Sequence, residues 1–190
     1  MIRWESLTKK YGEEEVLNEL TAALPEGETT VLMAASGFGK TTLAHLLLGL
    51  LTPDGGTIKG LEGKRISAVF QEDRLCEPFS ALENVRLVTA KKADTEQILQ
   101  ELAALDLPEE MARKPVNQLS GGQRRRVALA RAMAAESDFV CLDEPFKGLD
   151  KETKQKAMEY VKERGKGKTI LLITHDMEEA EFFGGIGLSL

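Results

Sequence analysis

The sequence has little cysteine, no long apolar run and no surplus of positive charge, and each shortage removes a class of function. Its two cysteines, Cys76 and Cys141, are too few and too differently placed for a metal site or a disulfide framework. Both read as small packing residues, Cys141 from inside an apolar run. No stretch approaches the roughly 20 uninterrupted apolar residues that cross a bilayer. The opening segment MIRWESLTKK lacks the apolar core of a signal peptide, so the chain by itself is expected to stay in the cytosol. Lys and Arg number 25 against 31 Asp and Glu, for a formal net charge of -6. That balance argues against a general nucleic-acid binder, whose surface displaces counterions with a basic surplus. Internal repeats and low-complexity segments are also missing.

What is present suits a folded domain. Hydrophobic residues make up 42% and charged residues 29% of the 190 positions, enough to bury one substantial core without a second domain. Three short apolar runs, 29–33, 139–142 and 169–173, have the length of buried strands and are followed by polar, loop-forming residues. Helical patterns lie between and after them: 40–50 is rich in Leu and Ala, 120–135 repeats Val127, Leu129, Ala130 and Met133 on one side, and 151–164 is amphipathic. Strands alternating with helices predict a parallel sheet covered on both faces, with its ligand beyond the carboxyl ends of the strands. Pieces at 2–8, 14–18 and 57–70, punctuated by Gly12, Gly27, Gly55, Gly56, Gly60 and Gly63, predict a small antiparallel sheet beside it. Residues 80–107 carry only helical periodicity and predict a helical lobe.

The chemistry begins directly after the first apolar run. Ala34-Ala35-Ser36-Gly37-Phe38-Gly39-Lys40-Thr41-Thr42 then leads into a helix, which is the strand, loop and helix context of a phosphate-binding loop. Gly37 and Gly39 allow successive amides to point at an anion while the positive end of the helix faces the same spot. Lys40 would reach the terminal phosphates, and Thr41 offers a hydroxyl to Mg²⁺, which requires hard oxygen ligands. Ala34 stands where the pattern asks for glycine, which requires a negative φ there. Taken alone, the loop also fits a glycine-bearing helix start with an exposed lysine. At 139–142 the second run ends in Asp143-Glu144-Pro145, and the tip of such a strand lies beside the phosphate loop in a parallel sheet. Asp143 is placed to hold Mg²⁺ and Glu144, pointing the other way along the strand, to polarise an attacking water. The alternative is a solvated acidic turn capping the next helix.

Leu119-Ser120-Gly121-Gly122-Gln123 is the most specific feature, expected by chance in about a few chains in ten thousand of this size. Ser120 and two glycines opening a helix make a second anion site at a positive helix end. With the phosphate loop before it and the carboxylate strand after it, the chain resembles the ATP-binding cassette ATPases over nearly its whole length. The resemblance implies a single domain over 1–190 with the α/β fold of the P-loop NTPases: a parallel-sheet core with the small antiparallel sheet in 1–71 and 136–190, and a helical lobe carrying the signature in 72–135. It implies ATP and Mg²⁺ as ligands, with Ser36, Gly37, Phe38, Gly39, Lys40, Thr41 and Thr42 on the phosphates and Thr41, Gln71 and Asp143 on the metal. Glu144, His175, Gln71 and Lys40 are then the catalytic set, with His175 at the γ-phosphate. Tyr11 falls where an aromatic stacks on adenine, although ordinary packing also accounts for a strand tyrosine. Gly148-Leu149-Asp150 matches the loop that contacts a partner subunit.

In that family two copies pair head to tail, each closing Ser120, Gly121, Gly122 and Gln123 over the ATP held by the other, an isologous twofold contact. ATP binding draws the copies together and hydrolysis lets them part. Membrane permease subunits, and through them a solute-binding protein, are further expected partners, at the cytoplasmic side of the membrane. A groove by Gln71, Leu75 and Phe79 is expected to receive the permease. Residues 69–75 and 81–85 look most like the subfamily serving nitrate, sulfonate and taurine uptake. Most of Arg124, Arg125 and Arg126 are expected in surface and inter-lobe ion pairs. The glycine-rich run after His175 is expected to end the chain without a regulatory domain. Rival expectations are a cassette ATPase of DNA repair or translation and a nucleotide-sensing domain without turnover.

Overall fold

The computed structural model describes residues 1–33, 39–89 and 94–184 and the backbone of 186–189. Along the chain run β1 (Ile2–Tyr11), β2 (Glu14–Leu24), β3 (Thr29–Met33), α1 (Lys40–Leu47), β4 (Gly55–Lys59) and β5 (Ile66–Val69). Helices α2 (Ala81–Arg86), α3 (Thr95–Ala103), α4 (Glu109–Ala112) and α5 (Gly121–Ala134) follow. The last elements are β6 (Phe139–Asp143), α6 (Lys151–Arg164), β7 (Thr169–Thr174), α7 (Met177–Phe183) and β8 (Ile186–Ser189). Contacts group these into two compact units. One comprises Met1–Ile66, Asp138–Asp143 and Gly167–Leu190, and the other Ser67–Ser137 and Glu144–Lys166.

The first unit holds an antiparallel sheet and a set of parallel strands. Long β1 is the centre of the antiparallel sheet, with β2 on one side and β4 on the other. Ile2, Trp4 and Leu7 point inward from it and are buried, while Arg3 and Glu5 between them face solvent, the alternation of a half-covered sheet. Sequence periodicity placed all of 57–70 in this sheet, but only Gly55–Lys59 pairs with β1. The parallel strands stand in the order β6, β7, β3, β8. Every residue of β6 and β7 is buried, as a parallel strand covered on both faces requires. Their registers align one edge: Asp143 lies opposite Ile173, and Met33 opposite Thr174, so β6, β7 and β3 end nearly level at their carboxyl edges.

Helix α1 stops three residues short of the expected range. Gly49, at φ +68°, turns the chain out just past the cap residue Leu48, the position where a left-handed residue commonly ends a helix. Strand β8, parallel to β3, was not expected from its glycine-rich sequence.

The second unit is helical. Val127, Leu129, Ala130 and Met133 of α5 are all buried, as the periodicity of that stretch anticipates. Helix α5 packs against α2, α3 and α6. From α6, Ala157, Met158, Tyr160 and Val161 are buried, and its amphipathic range matches the expected one residue for residue. The helical stretch beginning at Ser80 divides where Asp94 caps α3 with a reciprocal capping box.

Candidate functional site

Ser36, Gly37 and Phe38, with Ala34 and Ala35, lie outside the described residues, and description of the loop starts at Gly39. This residue is the N-cap of α1, with φ +73° and ψ +12°. A Cβ there would stand 2.8 Å from Leu17 Cδ2 and 2.9 Å from the Val16 carbonyl oxygen, so both the backbone conformation and the space demand glycine. Lys40, Thr41 and Thr42 form the first turn of α1, at the end where amides and helix dipole favour an anion. The Thr41 hydroxyl donates to Asp143 Oδ2 at 3.0 Å. Asp143 is the last residue of β6 and 5% exposed, which excludes the solvated acidic turn. A hydroxyl and a buried carboxylate side by side, both hard oxygens, fit a cation such as Mg²⁺.

His175 follows the last residue of β7 and is exposed, one position before Asp176 caps α7. The level ends of β6 and β7 put it on the same edge as Asp143. Tyr11 closes β1 opposite Glu14 and is 49% exposed, with the Lys9 ammonium 5.9 Å from its ring centre. About half of the residue's surface is therefore open to solvent. Cys141, inside β6, is wholly buried, and burial pushes its thiol well above the usual range, with the Asp143 charge adding to the effect. It is a neutral packing residue.

The remaining expected site residues belong to the second unit. Ser120 is the N-cap of α5 in a reciprocal capping box: its hydroxyl accepts from the Gln123 amide at 3.3 Å, and Gln123 Oε1 accepts from the Ser120 amide at 2.9 Å. A Cβ on Gly122 would meet Leu149 Cδ2 at 3.5 Å, which puts the signature turn beside Gly148 and Leu149. Glu144 comes directly after β6 with φ +47°, so the turn, rather than the pleat of the strand, sets its direction. A non-glycine residue held there stores strain of about 1–3 kcal/mol, a feature concentrated at functional positions. Its carboxylate is 3.2 Å from Lys147 Nζ. Gln71 is exposed two residues past β5; Leu75 is buried at 9% and Phe79 is 42% exposed.

The arginines after the signature include the expected ion pairs, at Arg124 and Arg125, and add hydrogen bonds to backbone carbonyls that the expectation did not contain. Arg125 is 6% exposed and donates to two carbonyl oxygens, that of Phe70 at 2.7 Å and that of Gln71 at 2.5 Å. Its Nε also lies 3.2 Å from Asp73. Arg126 donates to the carbonyls of Leu105 and Asp106, and Arg131, which no motif singled out, to those of Asp73 and Arg74. Arg124 pairs with Glu77 at 3.1 Å and lies 4.0 Å from Asp73. Acceptors more than 50 residues away in sequence leave no local signal for Arg125 or Arg131.

Comparison with known proteins identifies the family. Residues 17–147 match the family model described as ABC transporter. The chain is 40% identical over 186 residues to the taurine import ATP-binding protein TauB of Pseudomonas aeruginosa (strain UCBPP-PA14), covering 88% of this chain and 68% of that protein. It is also 40% identical over 179 residues to the aliphatic sulfonates import ATP-binding protein SsuB 3 of Paraburkholderia xenovorans (strain LB400), covering 92% and 70%. Among solved structures, the dimeric post-hydrolysis state of the ATP-binding cassette MJ0796 bound to ADP and Pi superposes with a TM-score of 0.88 at 31% identity, over 100% of this chain and 94% of that one.

Proposed function

The chain belongs to the ABC transporter family as an ATP-hydrolysing cassette, and from that premise we propose that it energises the uptake of a small sulfonate such as taurine. The sulfonate reading rests on the two relatives at 40% identity. Its partners are then a second copy of itself, permease subunits at the cytoplasmic face of a membrane and, through them, a solute-binding protein. Nucleic acid is no partner in this reading.

The observation that carries the enzymatic part is the Thr41 hydroxyl set 3.0 Å from the buried Asp143 carboxylate, at the N-terminus of a helix that follows a parallel strand. Lys40 and the amides of 36–39 bind the triphosphate, which the positive end of α1 also attracts. Thr41, Asp143 and Gln71 would hold the Mg²⁺ that neutralises charge between the phosphates when bound. Glu144 accepts a proton from the attacking water, and His175 orients the γ-phosphate. Tyr11 stacks on the adenine. Ser120, Gly121, Gly122 and Gln123 of the second copy complete the phosphate cage, so catalysis consists of positioning and charge stabilisation in a site that closes around its substrate.

Glu144→Gln keeps the shape of the side chain and removes its basicity. Phosphate release in the presence of Mg²⁺ should fall at least about 100-fold, while fluorescent ATP analogue still binds with parental affinity. Hydrolysis at the parental rate would remove Glu144 from its role as general base. For the transport reading, the permease that co-purifies with the chain, reconstituted in vesicles, should concentrate labelled taurine only with ATP; a permease indifferent to sulfonates would refute the substrate class.

A further inference from the structure

We propose that Arg125 is a positioning residue for ATP hydrolysis, tying the Gln71 segment to the signature helix so that both nucleotide-facing elements of the second unit are held in one register. The proposal rests on the reading that Gln71 and the Ser120 turn face the nucleotide.

Burying a guanidinium to 6% exposure is unfavourable unless its donors are satisfied. Here two donors of one planar fork are used on one short segment, Nη1 on the Phe70 carbonyl and Nη2 on the Gln71 carbonyl, while Nε lies 3.2 Å from the Asp73 carboxylate as an ion pair. Strand β5 has already ended at Val69, so these carbonyls have left the strand that fixes its own backbone groups. The segment is held from a second point of the same helix, because Arg131 donates to the Arg74 carbonyl at 2.9 Å and to that of Asp73 at 3.3 Å. The Arg74 guanidinium in turn lies 3.9 Å from the centre of the Phe70 ring. A neutral, well-packed side chain would stabilise a buried position at lower cost. What it could not do is fix two successive carbonyls relative to a helix whose first residues carry the signature. Arg125 stands two residues after Gln123, whose side chain completes the capping box, so rigidity at the helix start reaches Gln71 through one side chain.

A lysine keeps the charge but is a single point donor and cannot span both carbonyls. Steady-state hydrolysis by the full chain is therefore compared for the parent, Arg125→Lys, Gln71→Ala and the double variant, with thermal unfolding run alongside. Arg125→Lys should lower kcat about ten- to hundredfold, as misplacement of a positioned group does, and leave KM for ATP within about twofold. In the Gln71→Ala background the same substitution should change kcat by less than about twofold, the non-additivity expected when one residue acts through the other. Asp73→Asn, which leaves the arginine in place and loosens its fork, should show the same split in weaker form, and it decides the matter if Arg125→Lys does not fold. Equal loss of kcat in both backgrounds, or an effect confined to KM, would reduce Arg125 to a structural contact and overturn the proposal. An unchanged kcat in Gln71→Ala itself would instead remove Gln71 from the nucleotide site, and the positioning role would go with it.

Discussion

Gly39 concentrates the argument at the scale of one residue. Its positive φ sets the direction in which α1 and its first-turn residues Lys40 and Thr41 begin, and the Val16 carbonyl and Leu17 side chain leave no room for a methyl group. Gly39→Ala should destabilise the protein by about 1–3 kcal/mol through the left-handed backbone alone. ATP affinity should fall beyond what that instability explains, read from the urea midpoint and from nucleotide titration of the folded fraction. An unchanged midpoint would mean that the turn relaxes, and that glycine is not required. The same scale shows what sequence conveys about a site. The placement of Lys40 and Thr41 at a helix start and of Asp143 and Glu144 at a strand tip was legible because each occupies a fixed place in a local strand, turn and helix pattern. Arg125 and Arg131 were not, because their meaning lies in carbonyl groups 54 to 58 residues away. Glu144 lies between these cases: its identity was legible, its strained φ was not.

Elements were readable wherever period and punctuation agreed. Strand β3 and helix α6 appear with the bounds expected, the first with the length of its apolar run and the second because Asp150 caps it. Strand β8 escaped notice because its pairing with β3 is non-local and its sequence is dominated by glycine. Three helices, α2, α3 and α5, begin with the same reciprocal capping box, at Ser80, Asp94 and Ser120. That likeness makes a controlled comparison. Ser120→Ala and Asp94→Ala should each cost about 1 kcal/mol of stability, the usual value of a lost cap. Only Ser120→Ala should also depress ATP turnover, by more than about tenfold, because of the three it is the helix start proposed to close over a nucleotide. If both variants, or neither, lose turnover, the signature turn is a helix cap and nothing more. Chemical unfolding and phosphate release on the same preparations give both readings.

For the whole molecule, the order of motifs along the chain conveyed the class of fold: phosphate loop, Gln71, signature, carboxylate strand, His175. The composition of each unit could not be read the same way, since the chain passes between them at 66, 137, 143 and 166. Two glycine-bearing helix starts in one chain, at Gly39 and Ser120, leave the central claim that ATP is enclosed between two copies. Light scattering of the Glu144→Gln variant, with and without ATP, tests it most directly. The account predicts a particle of about twice the 20.9 kDa chain mass that forms only with ATP and retains two nucleotides. Particles of a single chain, saturated with ATP and unchanged in mass at every protein concentration, would contradict it.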